Sequence, residues 1–430
     1  MTRFEGCAFA CVVLSSVLPM WSPEMAAAQP RAWVATWAAS PESTNPNPNL
    51  AIVNIQNQTV RERVRVSMGG SEISIRLSNE YGARPLLVGA VTIASPTDPS
   101  SVASDTIRSV TFSGHASITI PPGAPVLSDP VGFAVRSGAE ISISIYFPQR
   151  ASTPTIHELA LKRAIISQGG DQTHVAKIEG GVESSASVLI SAILVPAQSA
   201  ERLVVAFGDS IVDGDGSTID ADHNWPSNLV RRVLHSSETS DLAVVNEGLA
   251  GNRLLSNDDG LSARVGLSAG LGPSALARFD RDVLALPGVT HVVLLEGIND
   301  IGFPGAKIAG QELAGPADVR TSEELIDAYR QLISRAHAHG IKLIGATVTP
   351  CEGVVLPGYY SESKEAVRQA VNRWIRTGGS FDGVIDFDAI LRDPEHPSRI
   401  RLRFASSDHL HPNDAGYQAM ADAIDLSLFH

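Results

Sequence analysis

Cysteine is scarce in this chain of 430 residues, which contains only three. Cys7 and Cys11 lie in an apolar N-terminal segment, so removal of that segment would leave Cys351 alone. A single cysteine cannot form an intrachain disulfide, and stability must therefore come from the packing of apolar side chains. No His and Asn motif accompanies Cys351, which favours an ordinary thiol over a nucleophile.

Long hydrophobic runs and an excess of positive charge are also missing. Beyond the N-terminal segment, no apolar stretch is long enough to cross a bilayer, so we expect no stable membrane insertion. Acidic residues outnumber basic ones by 46 to 33, and the formal net charge is −13. Because such a surface repels phosphate backbones, we expect no nucleic-acid partner.

Motifs for metals and cofactors are absent as well. The sequence contains no H-E-x-x-H, no paired cysteine spacing, no P-loop and no dinucleotide fingerprint. His337 and His339 are two residues apart on a predicted helix and therefore point in different directions. We predict no metal site and no cofactor.

Residues 1–28 have the pattern of a secretory signal peptide. Arg3 precedes a mostly apolar stretch from Cys7 to Met20, and the small residues Ala26–Ala28 precede Gln29. This pattern predicts cleavage after Ala28 and a secreted or periplasmic protein. The alternative is a segment that is kept as a membrane anchor.

Residues 29–198 are predicted to form an all-β, sandwich-like accessory domain. Apolar residues alternate from Val64 to Met68 and again from Ile73 to Leu77, with the glycines 69–70 between them. This pattern predicts a hairpin. The stretches Phe133–Val135 and Ile141–Ile145 repeat it, and frequent Pro and Gly separate the other short strands.

Residues 199–430 have a different pattern, in which apolar strands alternate with helices. Five strands, each followed by a helix, predict a parallel sheet that is covered on both faces and that binds ligands at the carboxyl ends of its strands. The predicted strands are Leu203–Phe207, Leu242–Asn246, His291–Leu295, Lys342–Thr347 and Val384–Phe387. The predicted helices are Trp225–His235, Ala275–Leu286, Glu323–His339, Glu362–Arg376 and Asn413–Leu428.

Four short blocks in this second region supply the candidate chemistry. They are FGDS ending at Ser210, NEGLAGN containing Gly251, EGIND containing Asn299, and SSDHLHP containing Asp408 and His411. The first three follow predicted strands, and the fourth precedes the last helix. Each block taken alone is weak, since turn serines, turn glycines and loop asparagines are common. Their joint occurrence in this order predicts a hydrolytic site.

Each block residue has a chemical role in that prediction. Ser210 is the candidate nucleophile, although the G-x-S-x-G elbow is absent. His411 is the candidate base that takes the serine proton, and Asp408, three residues earlier, would orient its ring. His409 is the competing base. Gly251 and Asn299 would stabilise the oxyanion together with the backbone N–H of Ser210.

At these residues the chain resembles the SGNH, or GDSL-type, hydrolase superfamily, from Leu203 to the C-terminus. The resemblance implies a flavodoxin-like three-layer sandwich with a five-stranded parallel sheet. It also implies the roles just given for Ser210, His411 and Asp408, and an oxyanion hole formed by Ser210, Gly251 and Asn299. The chain departs from the usual leucine-rich continuation of the first block, because it has Ile211–Asp215 there.

The N-terminal region resembles the leading β module of a two-domain bacterial subset of that superfamily. The segments Trp33–Pro41, Arg76–Gly82 and Ser128–Pro130 carry this resemblance. His157 and Asn79 lie in the same region, and for both we expect a structural role.

The sequence therefore predicts a secreted serine esterase that cleaves short-chain, acetyl-type esters of small molecules or polysaccharides. One alternative is a lipase, lysophospholipase or arylesterase of the same superfamily. An alternative from a different class is a glycan-binding surface protein.

Overall fold

The structure, a computed structural model, describes residues 32–45, 52, 54–197, 201–236, 239 and 241–430. The predicted signal peptide lies outside these residues. Residues Ala32–His430 form one compact unit. Among the described residues, no helix is both long enough and apolar enough to span a membrane.

Residues 32–197, here called the β region, consist of short antiparallel strands. They are β1 (Trp33–Ala38), β2 (Gln58–Arg65), β3 (Gly70–Ser78), β4 (Leu86–Val88), β5 (Ala90–Ala94), β6 (Arg108–Val110), β7 (Ile118–Ile120), β8 (Pro125–Leu127), β9 (Val131–Val135), β10 (Glu140–Phe147), β11 (Ile156–His157), β12 (Ala164–Ile166), β13 (Val182–Ser184), β14 (Ser187–Val188) and β15 (Ile190–Pro196). One main sheet has the order β1-β15-β3-β8 with β9 also on β3, and the other has the order β13-β12-β2-β10-β5-β6.

Both predicted hairpins are wrong. Strand β3 follows β2 directly, yet β2 pairs with β10 and β12 while β3 pairs with β15, β8 and β9. Strands β9 and β10 are likewise in different sheets. The turns at residues 66–69 and 136–139 thus carry the chain from one sheet to the other. Alternation of apolar residues shows which face of a strand is buried, but not which strand it pairs with.

Residues 201–430, here called the α/β region, contain the predicted parallel sheet. Its strands are β16 (Arg202–Gly208), β17 (Leu242–Gly248), β18 (Val289–Leu295), β21 (Lys342–Ala346) and β22 (Gly383–Ile385), and β19 (Lys307–Ile308) with β20 (Gln311–Glu312) forms a small hairpin beside it. The order is β17-β16-β18-β21-β22, and all neighbours are parallel. This is the flavodoxin-like order, so the predicted fold is confirmed.

Helices cover this sheet. They are α1 (Ser210–Asp213), α2 (Trp225–His235), α3 (Leu261–Arg264), α4 (Ala275–Phe279), α5 (Ile298–Gly302), α6 (Ser322–Ala338), α7 (Glu362–Thr377), α8 (Phe387–Leu391) and α9 (Asp414–Asp422). Helices α2, α8 and α9 pack together, and α4, α5, α6 and α7 form a second packed group. Because the side chains of β16 are buried on both faces, both faces of the sheet are covered.

Three predicted elements differ from the structure. The helix predicted at Ala275–Leu286 is α4 followed by a π-helical turn, Asp280–Leu284. The last helix ends at Asp422, and a separate 3-10 turn, Leu426–Phe429, follows it, in which Asp425 accepts a hydrogen bond from the N–H of Ser427. Phe387, predicted as the end of a strand, begins α8, which Asp386 caps.

Candidate active site

Ser210 stands where strand β16 meets helix α1. Gly208 ends the strand, and the Asp209 side chain caps the helix by accepting a hydrogen bond from the N–H of Ile211 at 3.0 Å. A Cβ at Gly208 would lie 1.9 Å from the carbonyl oxygen of Leu295, so only glycine fits at this crossing of β16 and β18. Ser210 is therefore the first residue of its helix, and it is 6% exposed.

His411 reaches Ser210 from the loop before α9. Its Nε2 lies 2.8 Å from the Oγ of Ser210, and its Nδ1 lies 2.5 Å from Oδ2 of Asp408. The other oxygen of Asp408 accepts hydrogen bonds from the backbone N–H groups of Leu410 and His411 and from the hydroxyl of Ser406. Both carboxylate oxygens are thus held by the loop that carries the ring, and the ring orientation is fixed.

The charges around His411 favour its protonated form. Burial lowers its pKa, but the hydrogen bond that its ring donates to Asp408 and the charges of Asp215 and Asp408 outweigh burial, and the net pKa lies above its ordinary value. The pKa of Asp408 lies well below its ordinary range, because its bonds to His411 and Ser406 outweigh its own burial. The pair can therefore stabilise an imidazolium beside Ser210.

His409, the competing base, takes no part in this arrangement. Its backbone has a positive φ of 59°, which turns the chain between Asp408 and His411. Within residues 201–236 and 241–430, no hydrogen bond joins the His409 ring to Ser210.

The candidate oxyanion donors lie on loops that are tied to each other. The Asn299 side-chain amide donates to the carbonyl oxygen of Asn252 at 2.9 Å, which links the loop after β18 to the loop that contains Gly251. Gly251 has φ of 71°, and its missing Cβ would lie 2.5 Å from Leu271. In the described ranges, no hydrogen bond occupies the backbone N–H of Gly251 or Ser210. Both N–H groups thus remain available to a ligand.

Tyr359 orients Asn299, and the sequence prediction missed it. Its hydroxyl donates to Oδ1 of Asn299 at 2.8 Å, which directs the amide nitrogen away from the tyrosine. Tyr359 is 1% exposed, and a Cβ at Gly302 would lie 2.2 Å from its ring. Tight packing against α5 therefore fixes the tyrosine. In the sequence, Tyr359 stands next to Tyr360 in no recognised motif, so no local signal marked it as a positioning residue.

Arg278, also missed, connects the strand ends behind the site. It is 1% exposed, and its guanidinium donates to the carbonyl oxygens of Gly208 and Glu247, to Oδ1 of Asn252 and to the hydroxyl of Ser40. Those partners belong to the ends of β16 and β17, to the Gly251 loop and to the β region. One side chain therefore holds together segments that are far apart in the sequence.

Buried carboxyl groups surround Arg278. Burial raises the pKa of Asp209 to about 7 and that of Glu247 to about 8, and it raises the pKa of Glu296 well above its ordinary value. Asp282 instead has a lowered pKa, because the attraction and hydrogen bonds of Arg281 and Arg278 outweigh its burial. The cluster therefore needs its arginines in order to hold any negative charge.

A second buried cluster joins the β region to the nucleophile helix. Nε2 of His157 lies 3.1 Å from Oδ1 of Asp213, the last residue of α1, and Nδ1 lies 3.1 Å from the carbonyl oxygen of Ser40 and 3.4 Å from Glu42. Burial lowers the pKa of His157, but Asp213 and Glu42 raise it well above its ordinary value. His157 thus has the structural role that the sequence suggested.

Among the residues that the structure describes, the same cluster comes nearest to a metal-binding arrangement. One atom from each of Glu42, His157 and Asp213 lies within 4.8 Å of the others. The two carboxylates lie beside opposite nitrogens of the ring, which suits a doubly paired imidazolium better than an ion bound to one nitrogen.

Two other residues of interest have structural surroundings. Asn79 donates to the carbonyl oxygens of Arg84, Ile120 and Pro121 and so closes a loop within the β region. Cys351 is buried and has a free thiol, and burial raises its pKa to about 12. A thiol with that pKa is not a nucleophile at neutral pH.

Residues 206–419 match the family described as GDSL-like Lipase/Acylhydrolase. Similar solved structures include a GDSL-like lipase from Bacteroides thetaiotaomicron, with 18% identity, 54% of this chain and 91% of that chain covered, and a TM-score of 0.36. A variant of an acetyl xylan esterase from Geobacillus stearothermophilus has 20% identity, covers 52% and 93%, and has a TM-score of 0.36. A psychrotrophic esterase from Pseudoalteromonas sp. has 15% identity, 52% and 94% coverage, and a TM-score of 0.34. No curated protein matches the chain.

Proposed function

Because residues 206–419 belong to the GDSL-like lipase/acylhydrolase family and the chain is a carboxylic ester hydrolase, we propose that it works through Ser210, His411 and Asp408. The observation that supports this is the continuous chain of contacts from the Ser210 hydroxyl through His411 to Asp408, at 2.8 and 2.5 Å. A serine becomes nucleophilic only when a base accepts its proton, and Nε2 of His411 is within that distance.

The proposed reaction has two halves. The Ser210 oxygen attacks the ester carbonyl carbon while Nε2 of His411 accepts the hydroxyl proton. The tetrahedral oxyanion accepts hydrogen bonds from the N–H groups of Ser210 and Gly251 and from the Asn299 amide. The C–O bond to the alcohol then breaks, and the alcohol leaves with the proton from His411. A water molecule, deprotonated by His411, hydrolyses the acyl-enzyme and releases the acid.

The acyl group is proposed to be short, such as acetyl. The small exposed fraction of Ser210 supports this, as does Leu271, whose side chain lies against Gly251 at the candidate oxyanion donors. An acetylated polysaccharide in the cell's surroundings is the proposed natural substrate, since the N-terminal segment with Arg3 and the apolar stretch from Cys7 to Met20 indicates export.

Hydrolysis of p-nitrophenyl esters from acetate to palmitate, with acetylated xylan as a polymer substrate, tests the proposal. We expect the highest kcat/KM with acetate, and a loss of at least about a thousandfold in kcat for Ser210→Ala. Ser334→Ala, which removes an exposed hydroxyl on α6, is the matched control and should keep full activity. Full activity in Ser210→Ala would remove the serine from its role, and a palmitate optimum would favour the lipase alternative.

A further inference from the structure

Asp215 lies at the mouth of the site in a tightly held turn. Its Oδ2 is 3.7 Å from Nε2 of His411, the nitrogen that contacts Ser210, and its side chain is 45% exposed. The flanking residues Gly214 and Gly216 have φ of 121° and 86°, which few other residues adopt. The hydroxyl of Tyr417 donates to the carbonyl oxygen of Asp215 at 2.6 Å. The backbone therefore presents this carboxylate to solvent in a fixed place.

Several acidic groups act on the site near Asp215. Asp408, Asp215 and Asp209 are the charges that act most strongly on His411. Glu158, from the β region, is also nearby: burial raises its pKa, a hydrogen bond with Ser268 and the charge of His157 lower it, and the charges of Asp213 and Asp215 raise it further. A molecule that approaches Nε2 of His411 thus meets the carboxylate of Asp215, which lies 3.7 Å from that nitrogen.

The alcohol part of the substrate must pass this point. In the proposed mechanism, the departing alcohol oxygen takes its proton from Nε2 of His411, so it must come within hydrogen-bond distance of that nitrogen. Asp215 is 3.7 Å from the same atom. A charged substituent two or three bonds from the alcohol oxygen therefore lies within a few ångströms of the carboxylate, where its charge has a direct effect.

We propose that Asp215 makes this site discriminate by charge on the alcohol side, so that esters of cationic and neutral alcohols are preferred over esters of anionic alcohols. The inference rests on the proposed function, because it assigns a substrate class to the same Ser210–His411 site. Asp215 has a second effect, since its charge favours the imidazolium form of His411. The acidic limb of the pH profile of kcat/KM therefore lies at a higher pH in the wild type than in a variant that lacks the Asp215 charge.

Three acetates of equal chain length test the charge preference: 2-(trimethylammonio)ethyl acetate, 3,3-dimethylbutyl acetate and 2-sulfonatoethyl acetate. Acid release is followed by titration, and each kcat/KM is divided by the rate constant of the same ester with hydroxide. We expect the cationic ester to exceed the anionic one about tenfold at low salt in the wild type, and about threefold or less in Asp215→Asn. In the wild type, 0.5 M NaCl should reduce the ratio, because exposed charges are screened.

Asp327→Asn is the matched control, because it removes the same charge from a side chain on α6 that is 63% exposed. It should leave the ratio unchanged. A wild-type ratio near one, a ratio that Asp215→Asn does not lower, or an equal fall in Asp327→Asn would overturn the inference. Ser210→Ala, inactive with all three esters, tests the proposed function separately.

The pH profile supplies an independent readout. His411 must be neutral to accept the serine proton, and loss of the Asp215 charge makes the neutral form easier to reach. The acidic limb of kcat/KM for the neutral ester should therefore move down by about 0.5 to 1 pH unit in Asp215→Asn. A limb that stays in place would contradict the role of Asp215 at His411.

Discussion

The two regions of the molecule contribute to the candidate site in different ways. The α/β region contains every proposed reactive group, from Ser210 at the end of β16 to His411 before α9. The β region contains none of them, but Ser40 accepts a hydrogen bond from Arg278, and His157, which Glu42 pairs from behind, contacts the helix that begins at Ser210. The proposed reactive groups thus come from the α/β region, whereas some of the side chains that hold them in place come from the β region. We therefore expect substitutions at these β-region contacts to affect catalysis.

Arg278→Met should have the largest effect, because it removes the side chain that contacts both Ser40 of the β region and the strand ends of the α/β region. The substitution would remove one of the two arginines that pair with Asp282, and it would leave the carbonyl oxygens of Gly208 and Glu247 without their donor. Removal of one partner from a buried ion pair costs about 3–5 kcal/mol, so we expect the free energy of unfolding to fall by about that amount. Urea unfolding measures it.

Arg330→Met on α6 is the control for that variant. Arg330 pairs with Asp327 at the surface, and its side chain is 53% exposed. Its loss should change the free energy of unfolding by less than about 1 kcal/mol. Equal unfolding midpoints for the two variants would show that Arg278 does not hold the regions together.

Asn299→Ala tests a group that belongs to the α/β region alone. Loss of one oxyanion donor reduces kcat by about 10²- to 10³-fold in comparable sites, and we expect a loss in that range with little change in KM. Steady-state kinetics with p-nitrophenyl acetate measure both. A change in KM alone would place Asn299 in substrate binding instead of oxyanion stabilisation.

His157 offers a sharper test, because two substitutions each preserve one half of its contacts. His157→Gln places an amide near the former Nε2, which can still donate to Asp213. His157→Asn places an amide near the former Nδ1 and loses the contact with Asp213. Both should lower the free energy of unfolding by about 1–3 kcal/mol. Only His157→Asn should also lower kcat markedly, since it frees the end of α1.

The pH dependence of that stability loss has a definite sign. The pKa of His157 is raised in the folded protein, so its contribution is complete below the ordinary pKa of histidine and is lost as pH rises through the folded value. The difference in free energy of unfolding between wild type and His157→Asn should therefore be largest in weak acid and shrink in alkali. A difference that grows with pH would contradict a charged His157.

Tyr359→Phe should have the smallest effect. It removes one hydrogen bond to Asn299 and leaves the packed ring in place. A neutral hydrogen bond contributes about 1 kcal/mol, which corresponds to a loss of about fivefold in kcat with KM unchanged. An unchanged kcat would mean that the contact of Asn299 with Asn252 orients the amide without help.

The sequence predicted the α/β fold closely, because its strands are continuous apolar runs and its helices have clear starts. Trp225–His235, for example, is a helix with the predicted bounds, capped by Asn224. The β region was predicted only as a class. Apolar alternation in β2 and β3 shows buried faces, but partners such as β10 and β15 lie far along the chain and leave no local trace.

Some residues of the candidate site could likewise be predicted from the sequence, and others could not. Ser210, Gly251, Asn299, Asp408 and His411 could be named because each stands in a short motif at a predictable place. Arg278 could not, since an arginine within an ordinary helical stretch is usually a surface residue. Its burial follows from contacts with segments that lie up to 238 positions away.

The long-range partner of the first strand has a consequence for the order of folding. Strand β1 pairs only with β15 among the described strands, and Trp33 stands opposite Pro196. During synthesis, β1 is made long before β15. Its backbone hydrogen bonds to β15 cannot form until all the residues between the two strands have been made. Closing so large a loop is slow. The nascent polypeptide therefore passes through a long interval in which the β1–β15 pair, and the sheet built on it, cannot be complete.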